Sequence, residues 1–450
     1  MSKDIFDFSK EYEWTGEFYF ENYSHRFFGK VTYSSEKGLH LHYTAPSTRD
    51  EIEKTRTGKI LYAVLDNGRA CTLFGDFNFI YSGFRGGDLN THHGVFLVEF
   101  CIFGGHLIED AQFDDVCFEF DNTQEFFFPA GFVDYIKFNK EALYKVVVPD
   151  GIISVENSAK FKYLPNDLRG ALFCDNEHAL DDLQSAWDKI REEYENVMLT
   201  FKTELRYYFR LKKNKYVPIK ELLREVFRIS DLLALFFNRP VYAKEIKFIA
   251  HDSQNDVKEL PVLASMAINK STLKLAQNKV HHLHLPLTTR TVDLETALTK
   301  WYQIDDSHSS IVSIIQHEKG YRTEHETNSE LVLFATQLES INLSLNGESI
   351  EKYTGPINKY GGEALITVLR NALQVEGLDC YGKKLAGLRN EIAHVGRPKT
   401  LLKKIGHYQR MVINCCLKLI IQSYLLNLLG VEDCHIKEYQ RQNLPTSRGD

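Results

Sequence analysis

The sequence predicts an α+β multidomain protein, in which a β-rich N-terminal region precedes an all-α helical bundle. The chain has 450 residues, which exceeds the size at which a single hydrophobic core stops growing. Apolar side chains alternate with the strand period up to about residue 122, and from about residue 293 they follow the helical period. We therefore expect an N-terminal domain at residues 1–290 and a helical domain at residues 291–450.

Strand patterning dominates the first part of the chain. Apolar residues alternate with polar ones, as in the pairs Phe18/Phe20 and Val31/Tyr33. The turn sequence Asp66-Asn67-Gly68 separates two such segments, as in a hairpin. Many aromatic residues and short turns favour a twisted antiparallel sandwich or barrel. The β-rich part is expected to cover residues 1–165.

Residues 166–290 mix both periods and are expected to be an α/β extension of the N-terminal domain. The predicted elements are a helix at residues 177–194, a strand at 197–209, a helix at 219–238 and a strand at 241–250. Pro218 suits the start of the second helix, and Arg239-Pro240 suits its end.

The C-terminal third is expected to be a bundle of helices. They are predicted at residues 294–316, 330–345, 362–375, 382–395 and 401–429. The most apolar stretch, residues 411–430, is about as long as a membrane span but carries a polar residue roughly every four positions. This spacing favours a buried or dimer-facing helix and no membrane association.

Composition limits the possible partners and compartments. The formal net charge of −7 means that any contact with nucleic acid must come from a local basic patch. The eight cysteines form no CxxC pair, and the N-terminus lacks an apolar signal core. A reducing cytoplasm is the expected location.

The segment from Gly382 to Gly396 carries the strongest functional pattern. Its apolar stripe (Leu385, Leu388, Ile392 and Val395) lies opposite a face formed by Gly387, Asn390 and His394. On an ideal helix, Arg389 and His394 point about 140° apart. The two side chains could therefore serve one site only if the helix frays at Val395-Gly396, or if two copies pack face to face.

Arg389-Asn390-Glu391-Ile392-Ala393-His394 resembles the signature of HEPN domains, in which an Arg and a polar residue are followed by three spacers and a His. The surrounding helices match the size of such domains. Glu339, on an earlier helix, occupies the place where many HEPN proteins have an acidic residue.

The N-terminal segments also resemble a known family. Trp14-Thr-Gly16-Glu-Phe18, Phe28-Gly29-Lys-Val31-Thr-Tyr33 and Gly38-Leu39-His-Leu41 look like the start of the ApeA N-terminal domain. That domain precedes a HEPN domain in bacterial anti-phage proteins. The resemblance implies abortive infection, in which RNA cleavage stops host growth, and a phage-derived trigger sensed by the N-terminal domain.

The HEPN resemblance implies metal-independent RNA cleavage by attack of the 2′-hydroxyl, which leaves a 2′,3′-cyclic phosphate and needs no cofactor. His394 would act as base or acid, and Arg389 would hold the phosphoryl oxygens. Asn390 would orient the imidazole or a phosphate oxygen, and Glu339 would tune or position His394 or Arg389. The helical domain would form a homodimer or a higher homo-oligomer.

A local excess of positive charge supports an RNA partner, with tRNA as one candidate. Eight cations and one acid, Glu391, lie between Lys383 and Arg410. The expected RNA-binding residues are Lys383, Lys384, Arg397, Lys399, Lys403 and Lys404. Such a cluster is more often a solvated helix face, so its position beside the motif is what suggests RNA.

Two alternatives stay open. A HEPN fold could serve only in dimerisation or ligand binding, so that the chain acts as a sensor or scaffold. A metal-dependent hydrolase could use His281, His282 and His284, of which the last two would share one side of a strand, although no third ligand follows from the spacing. The expected site contains no metal.

Overall fold

The computed structural model describes thirteen segments of the chain, to which all structural statements refer. They are residues 6–21, 26–46, 57–78, 91–127, 141–194, 200–251, 257–266, 268–278, 280–304, 315–318, 322–375, 381–394 and 396–445.

Within these segments, the strands form one antiparallel sheet. The strands are β1 (Tyr12–Tyr19), β2 (Phe27–Ser34), β3 (Gly38–Pro46), β4 (Thr57–Leu65), β5 (Ala70–Asn78), β6 (Thr91–Val98), β7 (Phe100–Phe103), β8 (Gln112–Phe120), β9 (Tyr144–Val148), β10 (Gly151–Tyr163), β11 (Thr200–Pro218), β12 (Ala243–His251) and β13 (Val257–Ala264). Their order is β6-β3-β2-β1-β4-β5-β7-β13-β12-β8-β11-β10-β9.

The first part of this sheet curls into a ring. β6 and β7 are separated only by Glu99, yet β6 pairs with β3 while β7 pairs with β5. A Cβ on Gly75 of β5 would come within 2.9 Å of the Leu97 carbonyl oxygen of β6, so these strands also run close together. This topology favours the barrel-like alternative over the sandwich. Its interior is apolar, and Phe18, Leu41 and Leu73 are fully buried.

The second part of the sheet supports helices. The α-helices described before residue 305 are α1 (Thr123–Phe127), α2 (Glu177–Glu193), α3 (Ile219–Phe237), α4 (Lys270–Gln277) and α5 (Leu294–Trp301). The apolar face of α3 packs on β8, β11 and β12. α3 follows Pro218 and ends at Asn238, whose left-handed φ of 48° directs the chain into Arg239-Pro240. Both predicted boundaries of this helix are confirmed.

The C-terminal region is helical, so the predicted α+β class is confirmed. Its helices are α6 (Glu324–Ser344), α7 (Thr354–Tyr360), α8 (Glu363–Ala372), α9 (Tyr381–Ala393), α10 (Thr400–Lys404), α11 (His407–Leu428) and α12 (Asp433–Asn443). α11 lies at the centre and packs against α6, α7, α8 and α12. It is long and apolar enough to cross a membrane, but 67% of its most apolar window is buried inside the protein, as expected for a core helix.

Three sequence predictions need correction. The helix expected at residues 401–429 is two helices, because Ile405 is extended and Gly406 has the non-helical conformation of an N-cap. The helix expected at residues 294–316 ends at Trp301, and residues 305–314 lie outside the described segments. His282–His284 form a 3-10 turn rather than a strand.

A short segment, residues 315–318, in which Ile315 and Gln316 are buried, joins the sheet region to the helical bundle. The Gln316 side chain donates to Ser230 Oγ and Asp231 Oδ1 of α3, at 3.0 Å each. It also accepts a hydrogen bond of 2.9 Å from the Val241 backbone N–H. Two residues further on, Glu318 pairs at 2.8 Å with Lys418 of α11. This segment therefore bonds α3 of the sheet region and α11 of the helical bundle at the same time.

Candidate active site on the helical region

α9 carries the predicted motif and is held on two sides by this chain. Leu385 and Leu388 are fully buried in the bundle core. On another side, a Cβ on Gly387 would approach Leu401 Cδ1 of α10 to 2.7 Å. The helix face of Gly387, Asn390 and His394, which sequence analysis considered for face-to-face packing of two copies, is therefore covered at Gly387 by α10 of the same chain.

Glu391 of α9 bonds the start of α10 and so holds the two helices together. It is buried, and its carboxylate accepts hydrogen bonds from the backbone N–H groups of Leu401 (3.0 Å) and Leu402 (2.9 Å) at the start of α10. Burial alone would raise the pKa of Glu391, but these N–H groups and the nearby Lys399 lower it overall. Sequence reasoning treated Glu391 only as the single acid in a basic cluster and missed this role.

Arg389 lies half-buried on the side of α9 that faces α6. Its Nη1 donates a 3.2 Å hydrogen bond to Asn390 Oδ1, and its Nε is buried without a partner among the described residues. It makes no ion pair in the described part of the chain. Since a guanidinium has five N–H donors, this arrangement leaves donors for a ligand.

Glu339 of α6 lies beside Arg389. Its carboxylate accepts hydrogen bonds from Lys352 Nζ at 3.0 Å and from the Tyr353 hydroxyl. Partial burial raises the pKa of Glu339, but the bonds from Tyr353 and Lys352, together with the charges of Lys352 and Arg389, lower it overall. The charge of Arg389 thus acts on the Glu339 carboxylate of α6, while its guanidinium bonds Asn390 on its own helix.

His394 lies just after the last residue of α9 and is exposed. Its backbone N–H donates to the Asn390 carbonyl at 3.1 Å, and its carbonyl accepts from Lys399 Nζ at 2.9 Å. No hydrogen bond joins its ring to Arg389 or Glu339 among the described residues. Val395, where fraying was predicted, lies outside the described segments.

The six predicted RNA-binding cations fall into two groups. Lys384 donates to the carbonyls of Leu373 and Gln374 after α8, and Lys399 donates to the carbonyls of Glu391 and His394. These two lysines satisfy carbonyl groups at helix ends. The other four cations, Lys383, Arg397, Lys403 and Lys404, are exposed.

The three histidines of the metal-hydrolase alternative contact one another through their rings. The centroids of His281 and His282 are 4.1 Å apart, and those of His281 and His284 are 6.2 Å apart. Their nitrogens do not converge as metal ligands do. Among the described residues, one group of three potential metal ligands lies close together, on the surface at the start of α12: Glu432, Cys434 and His435.

Comparison with known families identifies the N-terminal region. The family model described as ApeA N-terminal domain 1 matches residues 13–167 and 188–301, which is more than half of the chain. A search of curated proteins returned no match. A search of solved structures also returned none. The match includes the Trp14, Phe28 and Gly38 segments, so the chain belongs to the ApeA family of anti-phage defence proteins.

Proposed function

We propose that the helical region is a HEPN-type endoribonuclease that acts in this anti-phage defence. The observation that carries the proposal is the state of Arg389, which is half-buried, makes one side-chain hydrogen bond and no ion pair in the described residues, and lies beside Asn390. A planar cation held in this way suits the two oxygens of a phosphodiester.

The chemistry follows from these side chains. The RNA 2′-hydroxyl attacks the adjacent phosphorus, and the 5′-oxygen of the next nucleotide leaves. His394 takes the proton of the nucleophile or supplies the proton of the leaving group. Arg389 neutralises the charge that builds up on the phosphoryl oxygens. Because the nucleophile belongs to the RNA, the products carry a 2′,3′-cyclic phosphate and the step requires no metal.

A second copy of the chain completes the site in this proposal. His394 is exposed at the end of α9 and does not contact the Arg389 group within the described residues. On an ideal helix the two side chains point about 140° apart. A homodimer would place His394 of each copy near Arg389 of the other. The exposed cations Lys383, Arg397, Lys403 and Lys404 would contact the RNA backbone.

Such an enzyme requires restraint in its own cytoplasm. We propose that the N-terminal region senses a phage-derived trigger and releases a resting state of low activity. The buried junction at Gln316 and Glu318 supports this coupling, because it bonds α3 of the sheet region and α11 of the bundle. Full activity of the purified, unstimulated protein would contradict this restraint.

A non-catalytic sensor or scaffold is the alternative. It is favoured by the structural use of Lys384, Lys399 and Glu391, which stabilise helix ends. In a scaffold, the charged residues of α9 and its flanks would serve only to stabilise the helix ends.

The test is cleavage of total cellular RNA in the presence and in the absence of EDTA, each with and without a phage-infected lysate. Wild-type protein is compared with His394→Ala, and a change of the exposed His178 on α2, His178→Ala, serves as a matched control. We expect cleavage in EDTA by wild type and His178→Ala once the lysate is added, and none by His394→Ala. A folded wild-type dimer that cuts no RNA in either condition would support the scaffold, and cleavage that needs a metal and survives His394→Ala would contradict the proposed site.

A further inference from the structure

Tyr353 holds the carboxylate of Glu339 from a different part of the chain. It lies between the 3-10 turn Ser349–Glu351 and α7, and only 3% of its surface is exposed. Its hydroxyl donates to Glu339 Oε1, the same oxygen that accepts the 3.0 Å bond from Lys352. Lys352 also lies over the Tyr353 ring, 5.0 Å from its centroid. Two side chains therefore fix one carboxylate oxygen.

The same group extends to Arg389. Burial raises the pKa of the Tyr353 hydroxyl, the bond to Glu339 raises it further, and the positive charge of Arg389 opposes this. Arg389 also lowers the pKa of Glu339. The hydroxyl consequently stays protonated and donates to Glu339, whose negative charge acts on the guanidinium of Arg389.

We propose that Tyr353 is a positioning residue of the active site, which fixes the Glu339 carboxylate so that its negative charge acts on Arg389 from one place and keeps the guanidinium ready for the RNA phosphate. The inference rests on the proposed ribonuclease function and deepens it. Tyr353 touches neither the RNA nor the reacting atoms and acts only through Glu339. A buried tyrosine that merely filled the core would act through its ring and would not need its hydroxyl.

Removal of the hydroxyl separates these two roles. Tyr353→Phe keeps the buried ring but leaves Oε1 of Glu339 with Lys352 as its remaining side-chain donor. Glu339 can then rotate, and Arg389 loses its fixed counter-charge. Because positioning affects the transition state more than the binding of ground-state RNA, kcat should fall about tenfold while KM stays unchanged.

The experiment measures kcat and KM on bulk tRNA, under the conditions in which wild type cleaves, and urea unfolding midpoints of the same proteins. The variants are Tyr353→Phe, Glu339→Gln and their combination, with Tyr360→Phe as the matched control. Tyr360 packs its ring 5.3 Å from that of Tyr424 and makes no contact with Glu339 among the described residues. We expect Tyr360→Phe to cleave like wild type and the double variant to be no slower than Glu339→Gln alone.

The outcomes separate the two proposals. Cleavage by wild type with Tyr353→Phe equal to Tyr360→Phe would overturn the positioning role and leave the ribonuclease intact. A tenfold loss that multiplies with Glu339→Gln would also overturn it, since the two residues would then act independently. If wild type cuts no RNA, the ribonuclease proposal fails. The unfolding midpoints then still test the contact: if the shift in the double variant equals the sum of the shifts in Tyr353→Phe and Glu339→Gln, the two residues are not coupled.

Discussion

Two groups of charged side chains in the helical bundle differ in how far their charges are satisfied. In the first, the buried junction network, Lys418 pairs with Glu318 at 2.8 Å and Arg322 pairs with Glu318 at 2.7 Å and with Glu330 at 2.6 Å. In the second group, Arg389 and Glu339, the two charges interact, but the side chains form no ion pair among the described residues.

The difference separates structural charge from charge that is available to a ligand. Every cation of the junction network has a carboxylate at bonding distance, so the network has little left for a ligand. Burial raises the pKa of Glu318, but Lys418 and Arg322 lower it overall, and these cations keep the carboxylate ionised. Arg389 keeps N–H donors in a half-exposed position. We infer that the junction network stabilises the fold and that Arg389 is available to bind a substrate.

Breaking the junction network should have the largest effect on stability. Glu318→Ala leaves the buried ammonium of Lys418 without its carboxylate and should cost about 3–5 kcal/mol of unfolding free energy. Urea denaturation measures this loss. The matched control is Glu438→Ala, which removes an exposed pair with Arg441 and should cost about 1 kcal/mol or less. Equal losses in the two variants would show that the junction network is not structural.

Arg389→Ala should have the converse effect. Loss of this transition-state contact should reduce RNA cleavage by about 10²–10³-fold, which corresponds to roughly 2.7–4 kcal/mol of barrier. Unfolding should change little, because Glu339 keeps its bonds to Lys352 and Tyr353. Activity and urea denaturation are measured on the same preparation. A variant that cleaves normally but unfolds easily would place Arg389 with the structural charges.

Removal of the Glu391 carboxylate should have a smaller effect, and one that depends on pH. Glu391→Gln weakens the cap of α10 and should cost about 1 kcal/mol at pH 7. The pKa of Glu391 is lowered in the folded protein, so its stabilisation is complete above the unfolded pKa, about 4.3, and is lost as the pH falls through the folded pKa. Urea denaturation of both proteins should therefore give curves that converge in acid. A constant difference would argue against an ionised cap.

Local patterns account for the parts of the fold that were predicted. The Asp66-Asn67-Gly68 turn joins β4 and β5 as expected, because a hairpin depends on adjacent residues. The helices α2, α3 and α9 begin and end within two residues of the predicted bounds, since apolar periodicity and flanking Pro or Asn residues act locally. The closure of the strand ring was left open, because it depends on β6 and β7 pairing with different strands.

The site was predictable only where its residues are close in sequence. Arg389, Asn390 and His394 belong to one motif, so the first two were placed on α9 and the third at its end from the sequence alone. Lys352 and Tyr353 were missed, because they reach Glu339 from a turn 13 and 14 residues away, and nothing in their pattern marks this contact. The break between α10 and α11 was missed because Ile405 fits the apolar period of a single helix.

The chemistry of the RNA ends tests the central claim most directly. Fragments produced by wild-type protein in EDTA are treated with or without an enzyme that opens cyclic phosphates, and their 3′ ends are then identified. The account predicts 2′,3′-cyclic phosphate ends, which form only when the RNA's own 2′-oxygen is the nucleophile. Fragments that end in a 3′-hydroxyl would contradict it, because another nucleophile would then have attacked the phosphorus and the roles assigned to Arg389 and His394 would not apply.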